Sequence, residues 1–354
     1  MAIRYAVAAG NWSATSTWNG GTLPASGDDV YANNFTVSID QSVAVNSLKK
    51  ISNTTPSIAA GGGFTVTAAA TVNITAGIQP ADNAANSTAL LTINAGSASV
   101  TITAAGGIYG GAAGFGRTAV KVSASHSGSI IINAGITGKY GNGVSVDFSS
   151  TASITVNGNI ASDAASGDTG VLMNGGSITV NGNITGGSGY ALDGGGANTV
   201  TVVGNVTGGS SAGINGAGST VMDITGDVTG GSGAPGISFG LADGSATIRG
   251  NIYCGEGSPG YANPGIQTYY SGTTGQVRIS GHLWAGGTSS DGAEHGCFPV
   301  VGPFVKITGE DLTIHLLDDT GFPSNAGGTA VTYTPGGGGG SSRPATGYQW
   351  PRSN

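Results

Sequence analysis

A short segment, typified by SITVNGNITGG at 177–187, returns along the chain at a nearly constant spacing. Related copies are SIIINAGITG, SITVNGNIAS, TVTVVGNVTGG, VMDITGDVTGG, ATIRGNIYCG and VRISGHLWAGG. Their shared apolar anchors are Ile136, Ile160, Ile184, Val206, Val228, Ile252 and Leu283, and an eighth anchor, Ile108, precedes them. The successive separations from Ile108 onward are 28, 24, 24, 22, 22, 24 and 31 residues. A repeat of about 22–24 residues is the sequence signature of a solenoid.

Within each copy the apolar residues alternate with polar ones, which indicates strands with one buried face. In the typifying copy Ile178, Val180 and Ile184 point inward, Thr179 points outward and Gly182 marks a bend. One turn cannot bury its own inward face, so turns must stack at about 4.8 Å. The predicted structural core is Ile178, Val180, Ile184, Val202, Val206, Ile224, Val228, Ile248 and Ile252.

The remainder of each turn supplies a second short strand and polar corners. NGV at 142–144 and AGI at 212–214 are typical of these second strands. A polar position precedes each anchor and predicts a corner ladder of stacked side chains, formed by Asn159, Asn183, Asn205, Asp227 and Asn251. We therefore predict an all-β, parallel β-helix, right-handed as parallel β crossovers generally are.

Composition excludes several other classes of protein. Disorder is disfavoured by the regular placement of β-branched residues, and collagen by the lack of glycine at every third position. A net charge of -7, with no basic run longer than Lys49-Lys50, argues against nucleic acid. No apolar stretch approaches 18 residues, and the first residues lack the features of a secretory signal. We expect no membrane insertion and synthesis in a cytoplasm.

Changes in residue composition and pattern along the chain predict four regions. Residues 1–57 form a capping region with Trp12 and Trp18, because solenoids need covered ends. The β-helix proper covers 58–288, and residues 289–335 form a small β-rich domain built around a hairpin in VKITGEDLTIHLL. Residues 336–354 are a glycine tether and a tail. We interpret Tyr348, Trp350, Pro351 and Arg352 in this tail as an anchor.

Signals for cofactor or metal chemistry are weak. No phosphate-binding glycine motif precedes a helix, and the histidines lack metal-ligand spacing, so we expect no cofactor and no metal. Parallel β-helices can host glycan-cleaving carboxylates, for which Asp223 and Asp227 are the candidates, followed by Asp243 and Glu256. The alternative interpretation is that these carboxylates are solvated surface residues without a catalytic role. We favour it and expect no enzyme activity.

Aromatic residues concentrate where the repeat becomes irregular. They are Tyr253, Tyr261, Tyr269, Tyr270 and Trp284. Exposed rings of this kind could stack on sugars or dock against a protein. The alternative is that they seal the end of the coil or a subunit interface.

The opening GNWSATSTWNGGTLPASGDDVYANNFTVSID, together with rungs of the TVTVVGNVTGGSSAGI type, resembles the glycine-rich β-helical structural proteins of tailed bacteriophages. The opening resembles more weakly a glycine-rich domain that begins surface β-helices of bacteria and animals. The resemblance covers most of residues 8–290. It implies a homotrimeric virion fibre, spike or capsid decoration protein that contacts other capsid or tail proteins.

The expectation from residues and resemblance together is a non-enzymatic phage structural protein on the virion surface, with host surface polysaccharide as a further contact. Two alternatives stay open. One is a short tailspike with polysaccharide-degrading activity, and the other is a bacterial surface adhesin.

Overall fold

The computed structural model of the chain describes residues 2–49, 51–59, 61–79, 89–110, 118–139, 141–163, 168–239, 244–255, 265–268, 276–279, 282–285, 300–301, 306–308, 313–316 and 330–332. They form an all-β structure whose parallel strands stack into a right-handed β-helix of about nine turns, which confirms the predicted fold class. The chain divides into two compact units, Met1–Asn183 and Ile184–Asn354.

In both units a complete turn contains three strands, which we call the first, second and third strand. In the turn that begins at Ser153, the first strand is Ser153–Asn157, the second is Ile160–Asp163 and the third is Val171–Met173. First and second strands meet at a glycine corner. The sequence predicts at least two strands per turn. The structure has three, because the longer predicted strand is divided at the glycine into a first and a second strand.

The unit Met1–Asn183 contains two parallel stacks. The first and second strands of its turns are Ile3–Tyr5, Asp29–Tyr31, Val43–Lys49, Ala70–Gln79, Val100–Ala104, Ile108–Tyr109, Ser129–Asn133, Ile136–Lys139, Ser153–Asn157, Ile160–Asp163 and Ser177–Asn181. Its third strands are Gly10–Asn11, Thr36–Ile39, Gly63–Val66, Leu91–Ile93, Val120–Val122, Val144–Val146 and Val171–Met173. A small antiparallel pair, Asn53–Thr54 with Ser57–Ile58, and two 3₁₀ turns, Thr15–Thr17 and Asn19–Gly21, complete it.

The unit Ile184–Asn354 repeats the same plan. Its first and second strands are Ile184–Thr185, Thr199–Val203, Val206–Thr207, Val221–Thr225, Val228–Thr229, Ser245–Arg249, Ile252–Tyr253, Gln276–Ile279, His282–Ala285, Lys306–Thr308, Thr313–Leu316 and an added strand, Ala330–Thr332. Its third strands are Leu192–Gly194, Ile214–Gly216, Ile237–Phe239, Ile266–Thr268 and Val300–Val301.

The apolar core of each unit consists of in-register columns. In the first unit Ile154 pairs with Ile178 and Val156 with Val180. In the second unit one continuous column joins Ile184, Val206, Val228 and Ile252. The predicted core residues are all at most 1% exposed. Each such side chain contributes about 1.5–3 kcal/mol by leaving water, so the columns supply the main driving force for stacking.

Glycine is required at the corner between first and second strands because successive turns approach there through their backbones. A Cβ atom at Gly182 would lie 2.5 Å from the carbonyl oxygen of Gly158, and one at Gly158 would lie 2.3 Å from that of Ala134. The second unit has the same contact, since a Cβ at Gly226 would lie 2.2 Å from the Gly204 oxygen. The recurring glycine of the GN motif therefore permits the spacing between turns.

The tryptophans of the opening lie in the core of the first unit. Trp12 and Trp18 are each 1% exposed, and their rings meet edge to face with centroids 4.8 Å apart. The Trp18 indole N–H donates to the Trp12 carbonyl at 2.9 Å, which satisfies a buried donor. Trp12 also lies 6.3 Å from the ring of Phe64, on the strand Gly63–Val66. The two indoles thus join the opening to the stack.

The hairpin predicted for VKITGEDLTIHLL is wrong. Lys306–Thr308 pairs in parallel with Gln276–Ile279, and Thr313–Leu316 pairs in parallel with His282–Ala285. The two segments therefore repeat the first and second strands of a turn. Two alternating segments separated by a glycine have the same sequence pattern in a hairpin and in successive parallel strands of a turn, which explains the error. The domain boundaries at 57, 288 and 335 stay predictions, and the tail 336–354 lies outside the described residues.

We expect Gly182→Ala to destabilise the protein by about 3 kcal/mol or more, at the upper end for single substitutions, because its Cβ would meet backbone. Gly96→Ala is the matched control, since Gly96 has a φ of 59° but no atom within 4 Å of a built Cβ. The control should lose only about 1–2 kcal/mol of stability, which is the cost of the left-handed backbone conformation for alanine. Chemical denaturation measures both, and equal losses would contradict the role given to the corner glycine.

Candidate functional site

Asp223, a candidate catalytic carboxylate, lies on the outer face of the strand Val221–Thr225 between Thr201 and Thr247 of the adjacent turns. Its carboxylate forms an ion pair with the guanidinium of Arg249, one turn further along. The two side chains are 45% and 51% exposed, so the pair contributes no more than about 1 kcal/mol. This geometry gives Asp223 a partner between turns on an open surface.

Asp227, the second candidate, belongs to the corner ladder. Its Oδ1 accepts hydrogen bonds from the backbone amide of Asn251 at 2.8 Å and from Asn251 Nδ2 at 3.1 Å. Its own amide donates to Asn205 Oδ1 at 3.0 Å. The first unit has the same bond, from the amide of Asn183 to Asn159 Oδ1 at 2.9 Å. All the predicted ladder residues therefore take part in corner bonds, and Asp227 replaces an asparagine without changing the pattern.

The structure therefore uses both candidate carboxylates as links between neighbouring turns. A glycan-cleaving pair would need one acid and one base or nucleophile facing a common substrate across about 5–9.5 Å. Of the weaker candidates, Asp243 and Glu256 lie outside the described residues.

The predicted aromatic residues are described in part. Tyr253 ends the strand Ile252–Tyr253, and its Cα is the register partner of Trp284 on the next turn. Thr229 precedes Tyr253 in the same column. Burial and the nearby negative charge of Asp227 raise the pKa of the Tyr253 phenol, against a hydrogen bond from Asn251. Tyr261, Tyr269, Tyr270 and the anchor residues Tyr348, Trp350, Pro351 and Arg352 lie outside the described residues.

A tyrosine that the sequence analysis did not single out occupies the corresponding place in the first unit. Tyr109 follows the anchor Ile108 as Tyr253 follows Ile252, and it is 42% exposed. It borders an open depression of about 290 Å³ whose lining includes Gly106, Gly107 and Gly135. The Ile-Tyr pair at the anchor was the available sequence signal for this position.

Polar groups stand beside Tyr109 at the depression. Thr137 is its register partner on the adjacent second strand, and Asn159 lies in the corner before the next one. Asn159 accepts the Asn183 amide through Oδ1, so its Nδ2 is the donor at this place. The depression thus combines an aromatic ring, a hydroxyl and an amide with a lining that is otherwise glycine, alanine and Ile136.

Two further polar columns were missed. Asn181 Nδ2 donates to Asn157 Oδ1 and Asn157 Nδ2 to Asn133 Oδ1, each at 2.8 Å, along the outer ends of the first strands. On the third strands, Asn215 Nδ2 donates to Asp193 Oδ1 at 2.8 Å. Burial raises the pKa of the Asp193 carboxyl, and the Asn215 hydrogen bond offsets this in part. Repeat alignment on the first strand does not reveal which polar residues of the third strand are half-buried.

Comparison of the chain with known protein families, curated proteins and solved structures found no match. The described residues contain no group of three or more His, Cys, Asp or Glu side chains that could hold a metal ion. In the same part of the chain, no helix is long and apolar enough to cross a membrane.

We expect Asp193→Asn to stabilise the protein at pH 7, because the amide still accepts from Asn215 but carries no half-buried charge. The folded state binds a proton at Asp193 more tightly than the unfolded state, whose pKa is near 3.8. Wild-type stability from this group therefore rises as pH falls through the folded pKa, and the advantage of the variant shrinks toward pH 4. Thermal melting between pH 7 and pH 4 measures it, and a constant difference would contradict the assignment.

Proposed function

We propose that the chain is a non-enzymatic structural protein of a tailed bacteriophage particle, a homotrimeric β-helical fibre, spike or capsid decoration exposed on the virion surface. The phage assignment rests on the resemblance of the tryptophan-containing opening and of the glycine-rich turns. The trimer is the cyclic arrangement that would cover side faces of three coils. The other virion proteins, on capsid or tail, would be its partners.

The observation that supports a structural role best is the use of polar side chains as bonds between turns. Asp223 bonds to Arg249, and Asp227 bonds to Asn251. Elsewhere Asn133, Asn157 and Asn181 bond to each other along the outside of the coil. Each such bond connects residues from successive turns, so polar groups that could have formed a reaction site stiffen the stack.

Contact with host surface polysaccharide is the second part of the proposal, and the two tyrosines favour it. The apolar face of a sugar ring can stack on Tyr109 while its hydroxyls bond to Thr137 and Asn159. A volume of about 290 Å³ lies at the lower end for ligand pockets, which suits one sugar residue. Tyr253 would provide an equivalent contact in the second unit.

We expect native mass spectrometry of the purified chain to show a trimer. We also expect peptide mass spectrometry to detect the chain in purified phage particles. Trimerisation buries surface that a single coil exposes, so the trimer should persist on dilution. A monomer at all concentrations would contradict the trimer. Detection of the chain on a bacterial envelope, with none in particles, would favour the adhesin alternative.

We expect Tyr109→Ala and Tyr253→Ala each to weaken binding of host polysaccharide about three- to tenfold, from the loss of one stacking contact. Phe148→Ala is the matched control, because Phe148 is 64% exposed in the first unit but does not line the depression. Biolayer interferometry on the purified polysaccharide measures all three. Equal effects of the Tyr109 and Phe148 variants would contradict the proposed contact.

The same polysaccharide separates the structural proposal from the tailspike alternative. Incubation with the wild-type protein should release no reducing ends. Release that stops in an Asp223→Asn or Asp227→Asn variant would establish the tailspike in its place.

A further inference from the structure

His126 lies in a corner, 123–128, that joins the third strand Val120–Val122 to the first strand Ser129–Asn133. None of its surface is exposed. Its Nδ1 accepts a hydrogen bond at 3.2 Å from the backbone amide of Ala95, which occupies the same corner one turn earlier. Nε2 is buried and has no hydrogen-bond partner among the described residues. The imidazole therefore has one bond, and that bond needs Nδ1 without a proton.

The backbone of His126 bonds in the opposite direction along the coil. Its carbonyl accepts from Ser150 Oγ at 2.9 Å and from the amide of Thr151 at 3.3 Å, both in the next turn. One residue thus connects three successive corners, at 94–98, 123–128 and 149–152. Loss of its buried position would loosen all three together.

The hydrogen bond from Ala95 assigns the proton of the neutral ring to Nε2. A second proton would have to bind Nδ1, where it would face the Ala95 N–H and break that bond. It would also place a positive charge in the core, which is costly without a partner. The protonated ring can therefore satisfy its hydrogen bonds only by leaving its place.

Other charges near this corner are few. The three corners contain no other titratable residue. Lys121 lies on the strand Val120–Val122, and Asp147 lies just before the corner 149–152, in the connection that follows the strand Val144–Val146. These two side chains are paired with each other at 3.1 Å. Burial alone lowers the pKa of His126 from its ordinary value of 6.5. Among the described residues, no carboxylate acts on His126 to stabilise the imidazolium.

We propose that His126 is an acid-sensitive latch, and that its protonation opens the corners at 94–98, 123–128 and 149–152 while the rest of the stack stays folded. The opened state binds the proton more readily than the closed state. Closure is therefore fully stable above pH 6.5 and weakens as pH falls below it, until the pKa of the closed form is reached. This device is independent of the proposed particle function.

Hydrogen exchange of the full chain between pH 7.5 and pH 5 tests the latch, with rates corrected for the intrinsic effect of pH. We expect protection of the three corners to fall by up to about tenfold per pH unit below 6.5, and that of the strand Ser177–Asn181 to stay constant. His126→Asn retains an acceptor in place of Nδ1 but cannot be protonated, so its corners should keep their protection. His282→Asn, in the strand His282–Ala285 of the other unit, is the histidine control and should behave as wild type.

Pairwise comparison of the variants decides the outcome. Equal acid sensitivity in wild type and His126→Asn would overturn the latch, as would corner protection that is independent of pH. If His126→Asn does not fold, an NMR titration of the wild-type imidazole gives the answer. Uptake of a proton below pH 6.5 together with loss of corner protection supports the latch. Titration near 6.5 with the corners still protected overturns it.

Discussion

The close approach of each turn to the next is the constraint on which the structure depends. Parallel strands about 4.8 Å apart place equivalent residues of successive turns in direct contact, so each position must be compatible with its own kind. Apolar positions meet this requirement by forming buried columns, and corner positions by being glycine. Polar positions meet it by bonding to one another, as Asn133, Asn157 and Asn181 do. Composition that would suggest a flexible loop is thereby explained by stacking.

The sequence alone predicted the features that repeat from turn to turn. It did not predict features that depend on contacts with residues of other turns. Alternation identified the core around Ile178 and Val180, because inward and outward faces have different chemistry. It also identified the Asn159–Asn183 corner bond, since like residues stack. The segment VKITGEDLTIHLL was misinterpreted because alternating segments on either side of a glycine are typical of both a hairpin and two successive strands of a turn. Neither Asp193 nor His126 could be recognised, since their burial depends on neighbours from other turns and not on their own local pattern.

The candidate site was predicted to a smaller extent. Asp223 and Asp227 attracted interest as departures from their columns, but each departure has a structural partner, Arg249 and Asn251. Tyr253 was found because it interrupts a run of threonines at the anchor. Tyr109 belongs to the same column position in a less regular turn, and repeat alignment gives least guidance there. The structure is therefore needed to distinguish residues that depart from the repeat but bond to a neighbouring turn from residues that depart from it and remain accessible.

Register in this fold is independent of the number of residues in a turn. Ile108 and Ile136 are 28 residues apart and paired, as are Val206 and Val228 at 22, and Ile252 and Leu283 at 31. The columns thus continue in register although the number of residues between paired strands differs. Such a scaffold can gain or lose loop segments by small insertions and deletions, and can lengthen by duplication of whole turns. An engineered peptide placed in one of the long connections would be displayed without altering the core.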